Sequence, residues 1–165
     1  MFDYSVKIGL VAMRRNTTDR PKGTFLTWHS AEERGKRLVA YIEKNFTTDK
    51  VSFVDNKGIG IKDLVFDDDS AQEVIERFKA EKVDAVFIIN CNFGNEEAAA
   101  DIARQIGKPL LIWAPLDDEY YVDGMRPTDS QCGLFGMSRQ LQRFHIPFTH
   151  IPCCAVEDDE FTQGF

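Results

Sequence analysis

The sequence predicts a doubly wound α/β domain with a five-stranded parallel sheet, a flavodoxin-like or Rossmann-like three-layer sandwich. Short apolar segments alternate with segments whose apolar residues recur every three to four positions, so strands alternate with single helices. Such alternation gives right-handed βαβ crossovers and a parallel sheet with helices on both faces. The 165 residues, 43% of them hydrophobic, are enough for one core. A chain of this length buries roughly 70% of the surface that its unfolded form exposes.

Five apolar segments are expected to form the strands. The third is apolar at almost every position, which is typical of a strand buried on both faces. The predicted strands lie near residues 5–12, 51–55, 83–90, 110–114 and 148–151. The segment from Asn56 to Asp69 is ambiguous, because it could be a loop or hold a short edge strand over 60–65.

Capping patterns mark the starts of the first two predicted helices. Ser30 and Glu33 form a capping-box pattern ahead of a helix over 31–46, and Ser70 with Glu73 repeats the pattern for the second helix. In such a box the hydroxyl accepts from a backbone amide three residues on, and the carboxylate accepts in return from the cap's own amide.

The third and fourth helices are predicted from a different set of signals. Asn95 opens the third helix and Gly107 ends it. The fourth covers residues near 130–144 and contains Gly133 and Gly136, each of which costs about 1 kcal/mol relative to Ala inside a helix. We expect these two glycines to allow close approach to a neighbour, either the sheet or another subunit.

The carboxyl-terminal residues predict the domain organisation. Residues 158–161 look like the first turn of a closing helix, after which the sequence ends. We therefore expect residues 1–156 to form a single α/β domain and residues 157–165 to be the start of a segment that leads into downstream domains.

Composition and the first residues argue against several binding partners and cellular locations. The chain has 20 Lys and Arg against 27 Asp and Glu, a net charge of −7 at pH 7, which opposes nucleic-acid binding. No apolar run reaches the roughly 18 residues of a membrane span, so no membrane partner is expected. Residues 1–4 lack the basic and apolar regions of a signal peptide, which indicates a cytoplasmic location.

No motif in the sequence supplies a complete active site. The four cysteines lack paired metal-ligand spacing, and we expect them to be reduced and packed as small hydrophobic residues. Gly58-Ile59-Gly60 lacks the third glycine of a dinucleotide fingerprint, and neither a phosphate-binding P-loop nor a G-x-S-x-G motif is present. We therefore assign no catalytic residue and no metal ligand to this chain.

Polar residues that follow the strands predict where a ligand would bind. In an open parallel sheet, ligands occupy the crevice beyond the carboxyl ends of the strands. The first strand delivers Arg14 to this edge, the third delivers residues 90–96 and the fourth delivers residues 115–121. Arginine, amide, carboxylate and aromatic groups together are suited to a polyol or sugar.

Two segments and the opening strand resemble one family. Residues 126–139 read RPTDSQCGLFGMSR and are followed by Ile146-Pro147-Phe148, and residues 90–96 read NCNFGNE after an apolar strand. Both segments, and the strand that ends at Arg14, resemble the N-terminal domain of L-fucose isomerase-like and L-arabinose isomerase-like proteins.

The resemblance implies a function for the whole protein. Members of the family are cytoplasmic, oligomeric aldose–ketose isomerases in which two α/β domains precede a β-rich domain. A divalent metal, usually manganese, is held by carboxylates and a histidine of the later domains and supports proton transfer between C1 and C2 through an enediol. The N-terminal domain helps to close the sugar pocket, often that of a neighbouring subunit.

The resemblance transfers three residues to this chain. Arg14 is expected to contact a sugar hydroxyl or an anion, with the Asn92–Phe93 loop beside it. The aromatic residue that the fucose branch places in this loop has no clear counterpart in this chain, where Cys91 or Phe93 stands. We expect no cofactor in this chain, manganese in the full-length protein, a sugar substrate and a homo-oligomer. The alternative is a free-standing flavodoxin-like domain that binds a small ligand or regulates.

Overall fold

A five-stranded parallel sheet covered by helices on both faces confirms the predicted fold class. The structure is a computed structural model and describes residues 4–18, 26–117 and 127–165. The strands are β1 (Val6–Met13), β2 (Val51–Val54), β3 (Ala85–Asn90), β4 (Leu110–Pro115) and β5 (Thr149–Cys154), in the order β2-β1-β3-β4-β5. The helices are α1 (Trp28–Phe46), α2 (Asp68–Glu81), α3 (Glu96–Ile106), α4 (Ser130–Arg143) and α5 (Asp159–Gly164).

The core consists of two apolar layers, one on each face of the sheet. Along β3, Val86 and Ile88 pack with α2, α3 and α4, whereas Phe87 and Ile89 pack with α1 and α5. Because successive side chains of a strand point to opposite faces, a strand between two helical layers must be apolar at both parities. This explains the continuous apolar segment in the sequence.

The strand order reverses between β1 and β3. β1 pairs with β2 on one side and with β3 on the other, and all of these pairs are parallel. The chain therefore leaves the carboxyl ends of β1 and β3 in opposite directions, which opens a crevice between them. Such a topological switch point is where open α/β sheets bind their ligands.

The first two helices begin three residues earlier than predicted. Thr27 caps α1, since its Oγ1 accepts from the Ser30 amide at 3.2 Å. Asp67 caps α2 through its carboxylate, which accepts from the Ser70 amide at 2.9 Å. Each predicted cap, Ser30 or Ser70, instead supplies the backbone amide that donates to the true cap. The sequence offers a second capping residue three positions upstream in both cases.

The third and fourth helices follow the prediction. Asn95 caps α3 by accepting from the amides of Glu97 and Ala98, and Gly107 ends it in the left-handed conformation, with φ 63°. α4 ends at Arg143, one residue before the predicted end.

The ambiguous segment after β2 is a turn that takes the place of β2 beside the end of β1. The Val65 amide donates to Ala12 O at 3.0 Å, and the Arg14 amide donates to Val65 O at 2.9 Å. Asn56 is buried and supports the turn, because its Oδ1 accepts from the Ala12 amide at 2.8 Å and its Nδ2 donates to Asp63 O at 2.9 Å. The backbone of Val65 therefore lies beside the backbone of Arg14.

The last residues fold back onto the sheet. Phe161 of α5 is fully buried, and its ring centre lies 4.5 Å from that of Trp113 in β4. A closing helix at this position agrees with the sequence expectation. The division into residues 1–156 and a segment leading to downstream domains stays a prediction.

Candidate functional site

The residues predicted to meet at the sheet edge follow two adjacent strands. Met13, the last residue of β1, pairs with Asn90, the last residue of β3, and the Cys91 amide donates to Met13 O at 2.8 Å. Arg14 and Arg15 therefore leave one strand directly beside the 91–93 segment that leaves the other. This is the switch-point crevice.

Arg14 lies beneath this edge and is fully buried. Its Nη2 donates to Thr17 O at 3.1 Å, to Thr17 Oγ1 at 3.2 Å and to Leu26 O at 2.9 Å. The guanidinium carbon lies 3.7 Å from the centre of the Trp28 ring. Arg14 thus joins Thr17 to Leu26, which precede and follow residues 19–25 in the chain.

Asn92 fixes the backbone of the two segments. It is fully buried, and its Oδ1 accepts from the Arg15 amide at 3.0 Å and from the Phe93 amide at 2.7 Å. The Asn92 carbonyl accepts from the Asp129 amide at 2.7 Å, which joins the start of α4 to the same point. Asn92 therefore holds Arg15 and Phe93 through its side chain and the start of α4 through its backbone carbonyl.

Phe93 and Arg15 lie nearer the surface than Arg14. The Phe93 side chain is half-buried, and the Arg15 guanidinium carbon lies 5.1 Å from its ring centre. Arg15 Nη1 also donates to Glu96 Oε2 at 2.5 Å. An aromatic ring, a guanidinium and a carboxylate therefore form one contiguous group.

The two glycines of α4 explain how this helix approaches the group. A Cβ on Gly133 would overlap the Phe93 carbonyl, and a Cβ on Gly136 would lie 2.7 Å from Glu96 Oε1. The predicted close approach is confirmed, but the neighbour is the connection from β3 to α3 together with the first residue of α3, and not the sheet. Between α3 and α4 a cleft of about 500 Å³ remains, lined by Arg15, Asn16, Asn95, Glu96, Glu97, Gly136, Arg139 and Gln140.

Arg34 is a structural residue of this edge that sequence reasoning missed. It is 4% exposed, and its guanidinium donates from Nη1 to Thr128 Oγ1 at 2.9 Å and from Nη2 to Leu116 O. These acceptors precede and follow residues 118–126, so Arg34 joins the end of β4 to the start of α4. An arginine on the apolar face of the first helix, between Ala31 and Leu38, was the available signal.

The remaining parts of the predicted edge are the residues that follow β4 and Arg126 of the family-like segment. Asp117 Oδ1 accepts from the Ser130 amide at 2.8 Å and so contacts the start of α4. Residues 118–121, and Arg126 of the family-like segment, lie outside the described residues.

The cysteines are only in part the packed hydrophobic residues that the sequence predicts. Cys91 and Cys154 are buried and Cys153 is half-buried, whereas Cys132 is exposed, so the expectation is wrong for Cys132. It is an exposed residue of the first turn of α4. Burial raises the pKa of the Cys91 thiol to about 12. Cys91 lies beneath the edge, whereas Phe93 is half-buried.

The described residues do not offer a metal site of their own. Across residues 4–18, 26–117 and 127–165, no three His, Cys, Asp or Glu side chains are grouped so that they could hold a metal ion. None of the helices in this part is long and apolar enough to span a bilayer.

Searches of solved structures and of family sequence models each find similarity to this chain. A galactofuranose binding protein of known crystal structure matches 88% of this chain with 12% sequence identity and a TM-score of 0.32. The chain spans 56% of that protein's length. No curated protein matches the sequence. The sequence model of the fucose/sulfoquinovose isomerase N-terminal domain covers residues 10–165, and the chain therefore belongs to that family.

Proposed function

We propose that this chain is the part of an aldose–ketose isomerase that helps to form the sugar pocket and the oligomer interface. The family of the chain supports an isomerase as the whole protein. The observation that carries the location is the meeting of Arg14, Asn92 and Phe93 at the switch point between β1 and β3. Ligands of open α/β sheets bind at this point.

The three residues contribute to the substrate site in different ways. Phe93 offers the half-buried ring, and Asn92 holds the backbone of Phe93 and Arg15. Arg14 lies under Trp28 and Leu26, so a direct contact with the sugar requires these residues to move. Without such movement Arg14 shapes the pocket through Thr17 and Leu26.

Unpaired buried amide groups support a ligand at this edge. The side-chain nitrogen and oxygen of Asn90, and Nδ2 of Asn92, are buried without a hydrogen-bond partner in the described part of the chain. An unpaired buried polar group costs about 1–3 kcal/mol, and native proteins tolerate few of them. Departures of this kind concentrate at functional sites.

The metal-dependent step belongs, in this proposal, to domains outside this chain. Manganese would support proton transfer between C1 and C2 of the sugar. The described part of the chain contains no cluster of three ligating side chains for it. The substrate is a sugar, the protein is a cytoplasmic homo-oligomer, and its net charge of −7 opposes nucleic acid as a partner.

The test compares the native protein with the isolated chain. We expect the native protein to exceed 18.8 kDa and to convert L-fucose, L-arabinose or D-arabinose to the ketose with manganese present. The 165-residue chain alone is expected to form no ketose. A native protein of 18.8 kDa that binds a sugar without turnover would instead establish a free-standing binding domain.

A further inference from the structure

We propose that the cleft between α3 and α4 binds a small uncharged polyhydroxy ligand, a sugar or polyol, with Glu96 as the central acceptor and Arg15 and Arg139 as donors. The cleft has a volume of about 500 Å³, which is within the range of small-molecule sites. It adjoins the switch point, because Arg15 directly follows Arg14 at the end of β1. The inference rests on the proposed function only in that the proposed function places a sugar site at this edge of the sheet.

The charges of the cleft favour a neutral ligand. Two arginines, Arg15 and Arg139, face two glutamates, Glu96 and Glu97, so the lining carries no net charge. An anion would meet the carboxylates and a cation would meet the guanidiniums. Hydroxyl groups both donate and accept, so a polyol can use both kinds of lining group at once.

Glu96 is fixed in place before any ligand arrives. Its Oε2 accepts from Arg15 Nη1 at 2.5 Å, and its Oε1 lies against Gly136, where a Cβ would come within 2.7 Å. Arg15 in turn lies over the Phe93 ring, and its amide is held by Asn92. A preorganised acceptor loses little conformational entropy on binding, which increases affinity.

Arg139 supplies the second donor from the opposite wall. It lies in α4 one turn beyond Gly136, is exposed and lines the cleft. It forms no ion pair with any residue in the described part of the chain. A guanidinium carries five donors in a fixed fork, which matches adjacent hydroxyl oxygens.

Backbone amide NMR of the isolated chain tests the location and the ligand class. The neutral probes are L-fucose, D-arabinose and sorbitol, and the charged probes are galacturonate and inorganic phosphate. We expect a neutral probe to shift the amides of Arg15, Gly136 and Gln140 most strongly, and phosphate to leave them unchanged. Stronger shifts with a charged probe, or no shift of these amides with any neutral probe up to its solubility limit, would overturn the proposal.

Three variants separate the cleft from general effects on the fold. We expect Glu96→Gln to weaken binding roughly tenfold or more, because a charge-assisted hydrogen bond is lost. Gly136→Ala should weaken it as well, because the new methyl group displaces the Glu96 carboxylate, while the helix itself gains stability. Arg143→Ala is the matched control, since Arg143 is an exposed arginine of the same helix outside the cleft.

The outcomes also distinguish this inference from the proposed function. Wild-type affinity in Gly136→Ala, or equal weakening by Arg143→Ala, would overturn the cleft assignment whatever the native protein catalyses. Binding at the cleft in a native protein without turnover would retain the cleft and overturn the isomerase proposal.

Discussion

Arg34 in α1 donates from Nη1 to Thr128 Oγ1 at 2.9 Å, a contact between residues 94 positions apart in the chain. The same guanidinium donates to Leu116 O, at the end of β4. Arg14 makes the corresponding link between Thr17 and Leu26, and the Leu26 amide donates to Pro127 O at 2.9 Å. Two buried arginines thus hold the described residues that flank 19–25 and 118–126, and the hydrogen bond from Leu26 to Pro127 joins the flanking residues of the two segments.

Because the Arg34 guanidinium donates to two acceptors, replacing it even with lysine should lower the free energy of unfolding. Arg34→Lys keeps the charge, but a single ammonium cannot reach both Leu116 O and Thr128 Oγ1, so the free energy of unfolding should fall by about 2 kcal/mol. Thr128→Val removes one acceptor and should cost about 1 kcal/mol. Urea unfolding of both variants and of the double variant gives the coupling. Strictly additive losses would contradict a direct link.

Arg14 and Arg15 are neighbours of the same residue type, but their removal should lower stability by different amounts. Arg14→Ala removes the hydrogen bonds of a fully buried guanidinium to Thr17 and Leu26, so the free energy of unfolding should fall by about 3 kcal/mol. Arg15→Ala removes a partly exposed ion pair and should cost less than about 1 kcal/mol.

Two measurements check this pair. In thermal unfolding a domain of this size loses roughly 2–4 °C of Tm per kcal/mol, so Arg14→Ala should unfold several degrees lower than Arg15→Ala. Sugar binding by the chain should show the reverse order once both variants are folded, with Arg15→Ala the weaker binder. Equal stability of the two variants would show that the guanidinium of Arg14 is not held as described.

The fold could be predicted from the sequence because its signals are local. The apolar parity of β3 and the Asn95 cap depend only on residues within a few positions of each other. The start of α1 was misplaced because Thr27 and Ser30 are both competent caps, and only the path of the preceding chain selects between them. Sequence spacing alone does not contain that path.

The candidate site could be located from the sequence but not resolved. The strand-end rule brings Arg14 and Asn92 together because parallel strands end at one edge of the sheet. The rule does not show that Trp28 covers Arg14 while Arg15 lines the cleft. This difference depends on how α1 packs against the end of β1. The link from Arg34 to Thr128 joins distant parts of the chain and has no local signal beyond a charge on an apolar helix face.

For Gly133→Ala, helix propensity alone is expected to give the wrong sign of the change in stability. Ala is favoured over Gly in a helix interior by about 1 kcal/mol. At Gly133, however, the added Cβ would overlap the Phe93 carbonyl, a backbone atom that cannot rotate away. We expect Gly133→Ala to lower the free energy of unfolding by about 2 kcal/mol or more and to shift the Phe93 amide resonance. Gly136→Ala meets only the end of the Glu96 side chain, and a Tm of Gly133→Ala at or above that of Gly136→Ala would refute the packing described.

The thiols are predicted to differ in reactivity because the thiolate is the reactive form. Burial raises the pKa of Cys91 to about 12, so its thiolate is scarce in the folded protein even at an alkaline pH near 9, and the side chain is also fully covered. Cys132 is exposed on α4. We expect a chromogenic disulfide reagent to label Cys132 in the native protein and to label Cys91 only after unfolding in urea. Cys132→Ser should remove the fast phase, and rapid labelling that persists in this variant would place another thiol at the surface.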